Sequence, residues 1–155
     1  MALSLSKIIT THLTVSASVE DLWRTLTDLA AYRPWNPFIT AAAGTVSVGE
    51  RLNLTIQPPG GGRAVAFKPW VTTVEEHHYI EWLGHLALPG VFDGRHSFTL
   101  TPMTRGRTLF QQSETFTGLL TPFSKSMLWR ARTGFVAMND ALAQYTTQFR
   151  RPQGR

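Results

Sequence analysis

The last part of the chain carries an apolar stripe, and this stripe constrains the fold more than any other feature of the sequence. Its residues recur at spacings of three and four: Leu128, Ala131, Phe135, Met138, Leu142, Tyr145 and Phe149. Such spacing places side chains on one face of an α-helix. Thr121 and Pro122 precede the stripe as a capping residue and a proline at the first helical position. The sequence therefore predicts a C-terminal helix of more than about 20 residues with one buried face.

The chain before this helix has the pattern of short β-strands. Runs rich in β-forming residues or alternating between apolar and polar extend over 7–15, 51–57, 79–86, 92–102 and 108–118. Turn residues at 58–62 and other glycines and prolines separate these runs. A short amphipathic helix is predicted after the first strand, with Ser16 or Ser18 as its N-cap. Pro34 and Pro37 prevent that helix from continuing.

The order of these elements predicts an α+β fold in which a curved antiparallel sheet of six or seven strands surrounds the long C-terminal helix. Strands joined by short loops pair antiparallel, two short helices follow the first strand, and only the long helix can cover the sheet. We expect a ligand cavity where the side chains do not fill the concave face. We predict a single domain over 1–155, in which about 150–155 form a frayed basic tail.

Composition excludes several classes of function. The chain has no cysteine, so disulfides, thiolate metal sites and cysteine nucleophiles are impossible. This composition fits a reducing cytoplasm, which is the expected location. We expect neither a targeting segment nor a membrane span. The net charge of +5 comes from scattered basic residues. Because no basic run is interleaved with aromatic residues, no nucleic-acid partner is expected.

Short motifs over nearly the whole chain carry a resemblance to a known superfamily. They are 18–23, Asp28, 32–38, Gly44, 49–52, 81–84, 88–94, Phe110, Gln112, Glu114, Phe116 and 138–139. With these motifs the chain resembles the START-like superfamily, also called SRPBCC, and within it the polyketide cyclase/dehydrase-like members. The resemblance implies the helix-grip fold and a deep, mainly apolar cavity. It also implies a role in carrying lipids, sterols or hormones, or in shaping polyketide intermediates.

Three polar residues interrupt strand faces that are otherwise apolar: His96, Gln112 and Glu114. If that face points at the cavity, these side chains orient a ligand. A buried imidazole beside a carboxylate could also transfer a proton, so His96 and Glu114 are the candidate catalytic residues. The alternatives are that residues near the strand ends face water, or that Glu114 pairs with Arg95 or Arg130.

Aromatic residues occur in almost every element and can supply both the core and the cavity wall. Trp82 and Phe98 are the strongest candidates for the wall because both lie in the middle of a strand. Gly134, on the long helix, is interpreted as making room for a ligand or a close strand, and a merely tolerated glycine is the alternative. The predicted ligand-binding residues are Trp35, Phe38, Phe67, Trp82, His96, Phe98, Gln112, Glu114, Phe116, Arg130 and Gly134.

Two further features suggest sites that we weigh less. His77 and His78, with neighbouring glutamates, fit no familiar metal-binding pattern, so we predict surface histidines, no metal and no cofactor. The apolar loop at 88–92 could be a lid in which Val91 and Phe92 gate the cavity. It could equally be an ordinary hairpin or the contact of a homodimer.

Three functional hypotheses follow from this pattern. The preferred one is a protein that binds a small hydrophobic molecule, such as a lipid, a polyketide or an aromatic compound, in a closed cavity without a converging acid and base. The alternative is an enzyme of cyclase, aromatase or dehydratase type. It predicts that His96 and Glu114 lie within hydrogen-bond reach of one another or of a common ligand atom. The third is a co-chaperone or interaction module, which predicts a filled core. Whether the protein is an enzyme stays open at this point.

Overall fold

The computed structural model describes residues 5–86 and 88–148. Phe149, the last member of the predicted apolar stripe, lies outside the described residues, as does the predicted basic tail.

Eight strands form two antiparallel sheets in the described part of the chain. They are β1 (Ser6–Val15), β2 (Ile39–Ala43), β3 (Asn53–Ile56), β4 (Val65–Phe67), β5 (Trp70–Glu75), β6 (Tyr79–Leu86), β7 (Phe92–Met103) and β8 (Arg107–Thr117). The larger sheet has the order β1-β8-β7-β6-β5, and the smaller has the order β2-β3-β4.

The two sheets are joined edge to edge where β5 begins. The Leu52 amide donates to the Pro69 carbonyl at 2.9 Å, and the Gly49 amide donates to the Val71 carbonyl at 2.9 Å. Pro69 separates β4 from β5 because proline has no N–H to give to a ladder. The predicted curved antiparallel sheet is therefore confirmed. Its six or seven strands are in fact eight, divided into sheets of five and three.

The helices occur in the predicted order, with one difference at the start of the long helix. Helix α1 (Val19–Thr27) is capped by Ser18, whose hydroxyl accepts the Asp21 amide at 3.2 Å. A single 3₁₀ turn, Leu29–Ala31, is the second short helix. Helix α2 (Lys125–Gln148) has 24 residues. It begins later than predicted, because Thr121–Phe123 forms a separate 3₁₀ turn.

The middle of α2 packs on the inner face of the larger sheet. Phe135, Met138 and Leu142 of the predicted stripe are fully buried there. A polar chain fixes the helix to two strands: Gln112 Nε2 donates to Asn139 Oδ1 at 2.8 Å. Asn139 Nδ2 in turn donates to Thr11 Oγ1 at 2.9 Å. This arrangement of a curved sheet around a long C-terminal helix is the helix-grip fold. In the described segments, no helix combines the length and the apolar character needed to cross a membrane.

Candidate functional site

A cavity of about 590 Å³ lies between the sheets and the first turns of α2. Most of its wall is apolar, and its ionisable wall residues are His96, Glu114 and Arg130. The remaining wall residues are Phe38, Ile39, Leu54, Ile56, Pro58, Pro59, Val65, Phe67, Trp82, Leu86, Phe116, Phe123, Ser124, Ser126, Met127 and Ala131. A cavity of this size suits a small molecule, since ligand pockets typically enclose about 300–1,000 Å³.

The cavity opens to solvent between the start of α2 and β4. Phe123 and Met127 line it although they are 79% and 37% exposed, and Val65 faces them from β4 with 46% exposure. Residues that line a cavity and remain exposed mark its opening. The preferred hypothesis expects a closed cavity, whereas the structure has an open one.

His96 and Glu114 form a pair in the wall of the cavity. They lie opposite each other on β7 and β8, so their side chains emerge on the same face of the sheet. His96 Nδ1 is 3.0 Å from Glu114 Oε2, and the two side chains are 4% and 13% exposed. The imidazole stacks on the Trp82 ring with centroids 5.2 Å apart. Its other nitrogen, Nε2, is buried and has no hydrogen-bond partner among the described residues.

This pair has the geometry that the enzyme hypothesis requires, and it departs from the preferred hypothesis, which expects no converging acid and base. Among the described residues, the alternative pairing of Glu114 with Arg95 or Arg130 is not found: Arg95 bonds to Glu81 at 2.6 Å, and Glu114 bonds to His96. A carboxylate that accepts a hydrogen bond from the Nδ1–H group fixes the imidazole in one tautomer. In that tautomer Nε2 has a free lone pair. The arrangement can hold a ligand's polar group, and it can in principle accept a proton.

Most of the predicted ligand-binding residues lie on the cavity wall. These are Phe38, Phe67, Trp82, His96, Glu114, Phe116 and Arg130. Their role in ligand binding stays a prediction. The position of His96 and Glu114 was predictable because alternation along β7 and β8 places them on the core face.

Two of the predicted aromatic residues lie away from the cavity wall. Trp35 is buried against α2, where it stacks on Tyr145 with ring centroids 5.9 Å apart. Phe98 is buried beneath the wall, edge-on to Trp82 at 5.2 Å and to His96 at 4.9 Å. Phe98 therefore supports the wall from behind, whereas Trp35 packs against Tyr145 near the end of α2.

Gln112 and Gly134 also serve packing between the sheet and α2. Gln112 donates to Asn139 and, at 3.4 Å, to the Phe135 carbonyl, so its amide faces the helix. Gly134 is in contact with the Phe38 ring: a Cβ atom at Gly134 would lie 2.3 Å from Phe38 Cδ2. The glycine makes room for an aromatic side chain of the wall, where a ligand or a close strand was expected.

Other wall residues were not predicted. Leu54 and Ile56 come from β3, and Phe123 and Ala131 come from the 3₁₀ turn and α2. Alternation along β3 gave the shared face of Leu54 and Ile56, but it did not show that this face borders a void. Pro58 and Pro59, in the β3–β4 loop, also line the cavity. Their sequence pattern predicted a turn but not a place in the wall.

A smaller cavity of about 390 Å³ adjoins the opening. It shares Leu86, Phe123, Ser124 and Met127 with the larger cavity and adds Val91, Phe92 and Leu120. Phe92 is buried and stacks on Phe116 with ring centroids 5.3 Å apart, which makes it a core residue at the start of β7. The predicted gating role of Val91 and Phe92 stays a prediction.

The loop beside this smaller cavity is held by Asp93. Its carboxylate is 2.7 Å from His85 Nδ1 and accepts the Gly90 amide at 2.9 Å. Burial raises the pKa of Asp93, but the hydrogen bonds from His85 and Gly90, together with the charge of His85, hold that pKa below its usual value. The loop is therefore fixed by an ionised carboxylate near the opening.

The cluster at 75–78 lies on the surface. His77 and His78 are exposed and stand 3.8 Å from Glu76 and Glu75, respectively. Throughout residues 5–86 and 88–148, no group of three or more His, Asp or Glu side chains is placed to hold a metal ion.

Comparison with protein families identifies the chain's relatives. The family profile described as "Polyketide cyclase / dehydrase and lipid transport" matches residues 7–146. The chain belongs to this family. No curated protein matches the chain.

Several solved structures share the fold. The Zhui aromatase/cyclase from Streptomyces sp. R1128 is similar with a TM-score of 0.77 and 16% identity over 96% of this chain and 98% of that chain. Protein MLL2253 from Mesorhizobium loti has a TM-score of 0.72 and 23% identity over 92% and 98% of the two chains. A START superfamily protein from Mycobacterium smegmatis has a TM-score of 0.72 and 20% identity over 92% and 98%. At these identities the likeness establishes the fold.

Proposed function

We propose that the protein binds a small, mainly apolar molecule in the cavity between its sheets and α2. The observation that carries this proposal is the cavity itself, about 590 Å³ in volume and lined mostly by aliphatic and aromatic side chains. Apolar surface that a ligand buries there is worth about 25 cal/mol per Å². The family description, which includes lipid transport, supports the same role.

The structure does not fit the third hypothesis, an interaction module with a filled core, because that hypothesis predicts no cavity. Binding also explains the composition of the wall. Few polar groups among many apolar ones are typical of sites that orient a ligand by one or two hydrogen bonds.

Filling the cavity tests the proposal. Ala131 lines the cavity from α2, so Ala131→Phe places a phenyl ring in the space a ligand would occupy. We expect this variant to bind the neutral fluorescent dye N-phenylnaphthylamine about ten-fold more weakly than the wild-type chain does. This loss of affinity corresponds to about 1.4 kcal/mol of binding free energy. Fluorescence titration measures the affinity, and thermal unfolding shows whether the variant stays folded.

Ala137→Phe is the matched control, because Ala137 lies on the exposed side of the same helix. It should leave dye binding unchanged. Equal affinities in all three proteins, or no binding by the wild-type chain, would contradict the proposal.

A second candidate function is proton transfer of the cyclase or aromatase type. It is favoured by the 3.0 Å contact between His96 and Glu114 and by the name of the Streptomyces relative. In this role Nε2 of His96 would remove a proton from a carbon beside a ligand carbonyl, and Glu114 would stabilise the resulting imidazolium. The same imidazolium would then return the proton to a hydroxyl group that leaves as water.

Binding ranks above proton transfer because of the surroundings of Nε2. This nitrogen is buried, and the ring is enclosed by Trp82, Phe98 and Phe135. A general base must come within about 2.6–3.2 Å of the proton it takes. Glu114 is the more accessible member of the pair.

A further inference from the structure

We propose that the ligand is an anionic amphiphile, whose apolar body occupies the cavity and whose negatively charged head, such as a carboxylate, pairs with Arg130 at the opening. This inference rests on the proposed binding function and names the chemical class of the ligand.

Arg130 differs from the other exposed residues of the wall in carrying a charge. It lines the cavity and is exposed to solvent, which places this residue at the opening. Met127, one turn earlier on α2, has the same combination of lining and exposure. A ligand inserted with its apolar end first would leave its head at this position.

Arg130 has no ion-pair or hydrogen-bond partner among the residues that the structure describes. Several other arginines do: Arg24 pairs with Asp21 at 2.8 Å, and Arg95 pairs with Glu81 at 2.6 Å. Arg132, on the same helix, donates to the Thr10 carbonyl at 3.3 Å. The guanidinium of Arg130 is thus available to a group that the cavity admits.

Glu114 is the acidic residue of the wall, and among the described residues its carboxylate bonds to His96 and forms no ion pair with Arg130. The carboxylate keeps its own negative charge on the sheet side of the cavity. Arg130 therefore offers an unpaired guanidinium beside a large apolar surface. Because α2 begins at Lys125, close to the opening, the positive end of the helix dipole adds a potential of the same sign.

A carboxylate suits this position better than a neutral head group. The planar guanidinium offers parallel N–H donors to two carboxylate oxygens, and such charge-assisted bonds are about twice as strong as neutral ones. A hydroxyl head would use at most one of these donors.

A pair of ligands that differ only at the head tests the inference. Decanoate and decanol compete for the cavity against bound N-phenylnaphthylamine, with the wild-type chain, Arg130→Gln and Lys125→Gln. Lys125 is the matched control, since it lies on the same helix near the opening but does not line the cavity. We expect Arg130→Gln to weaken decanoate binding about five-fold and to leave decanol binding unchanged. Lys125→Gln should change neither, and added salt should weaken decanoate binding alone.

The outcomes separate this inference from the function on which it rests. If the dye and decanol bind but decanoate affinity is the same in wild type and Arg130→Gln, the head-group inference is overturned and the binding function stands. Equal losses in Arg130→Gln and Lys125→Gln would show a general effect of charge and would also overturn it. If the wild-type chain binds none of the three compounds, both proposals fail together.

Discussion

The two ring nitrogens of His96 lie in different environments. Nδ1 is 3.0 Å from the Glu114 carboxylate, whereas Nε2 is buried without a described partner. Since an ionised carboxylate only accepts hydrogen bonds, Nδ1 carries the proton of the neutral ring. Stacking on Trp82 fixes the ring plane. The second candidate function requires this tautomer, because only an unprotonated Nε2 can act as a base.

The tautomer can be measured directly. We expect nitrogen-15 NMR spectra of the imidazole side chains at pH 8, where an ordinary histidine is neutral, to show His96 with a proton on Nδ1 and none on Nε2. His85 is an internal control, since its Nδ1 also faces a carboxylate, at 2.7 Å from Asp93. A proton on Nε2 of His96 would contradict proton transfer by this residue.

At the scale of single residues, strand alternation predicted much of the site. It placed His96 and Glu114 on one face together with Gln112, and the structure brings the first two together. The partner of Gln112 was not predictable, because Asn139 lies 27 positions away on α2 and only the tertiary fold joins them. The packing of Trp35 was not predictable for the same reason, since its partner Tyr145 lies near the end of α2.

Helix α2 and the segment before β2 are in close contact at Gly134. The Phe38 ring occupies the space where another residue would have its Cβ atom. Phe38 also packs edge-on against Phe135 with centroids 5.6 Å apart. Gly134 therefore controls where the Phe38 part of the cavity wall lies.

Gly134→Ala should destabilise the protein even though alanine favours helices by about 1 kcal/mol over glycine. The added methyl group would overlap the Phe38 ring, and overpacking of this kind typically costs about 1–3 kcal/mol. Urea unfolding measures the change in the free energy of unfolding. Combining Gly134→Ala with Phe38→Leu should recover part of the loss.

The exposed position 137 on the same helix provides the reference for helix propensity. Ala137→Gly should cost about 1 kcal/mol there, without any steric contribution. If Gly134→Ala instead stabilises the protein, the close contact with Phe38 does not constrain the helix.

At the scale of elements, the strands and helices followed from alternation, spacing and capping, as Ser18 and β6 show. The division into two sheets could not be predicted from these local patterns. The separation of β4 from β5 depends on pairing with residues 49–52, which are distant from this point in the sequence. Helix α2 also begins later in the sequence than predicted. Ser124 Oγ donates to the Thr121 carbonyl at 2.5 Å and closes a separate turn before the helix.

The cavity is a property of the whole molecule. The middle of α2 packs tightly on the large sheet through Phe135, Met138 and Leu142, whereas its first turns face β3 and β4 across open space. The sequence predicted that sheet and helix would not meet completely. It did not show at which end the gap would lie, because that depends on how far the small sheet stands from the start of α2.

The most direct test of the binding proposal is to locate a bound apolar molecule by NMR. Nuclear Overhauser effects between N-phenylnaphthylamine and the protein's methyl groups report which side chains the dye contacts. We expect contacts with Leu54, Ile56 and Ala131, which line the cavity from opposite sides. Contacts confined to exposed methyl groups outside it, such as those of Ile8 and Val136, would show surface binding and contradict the proposed function.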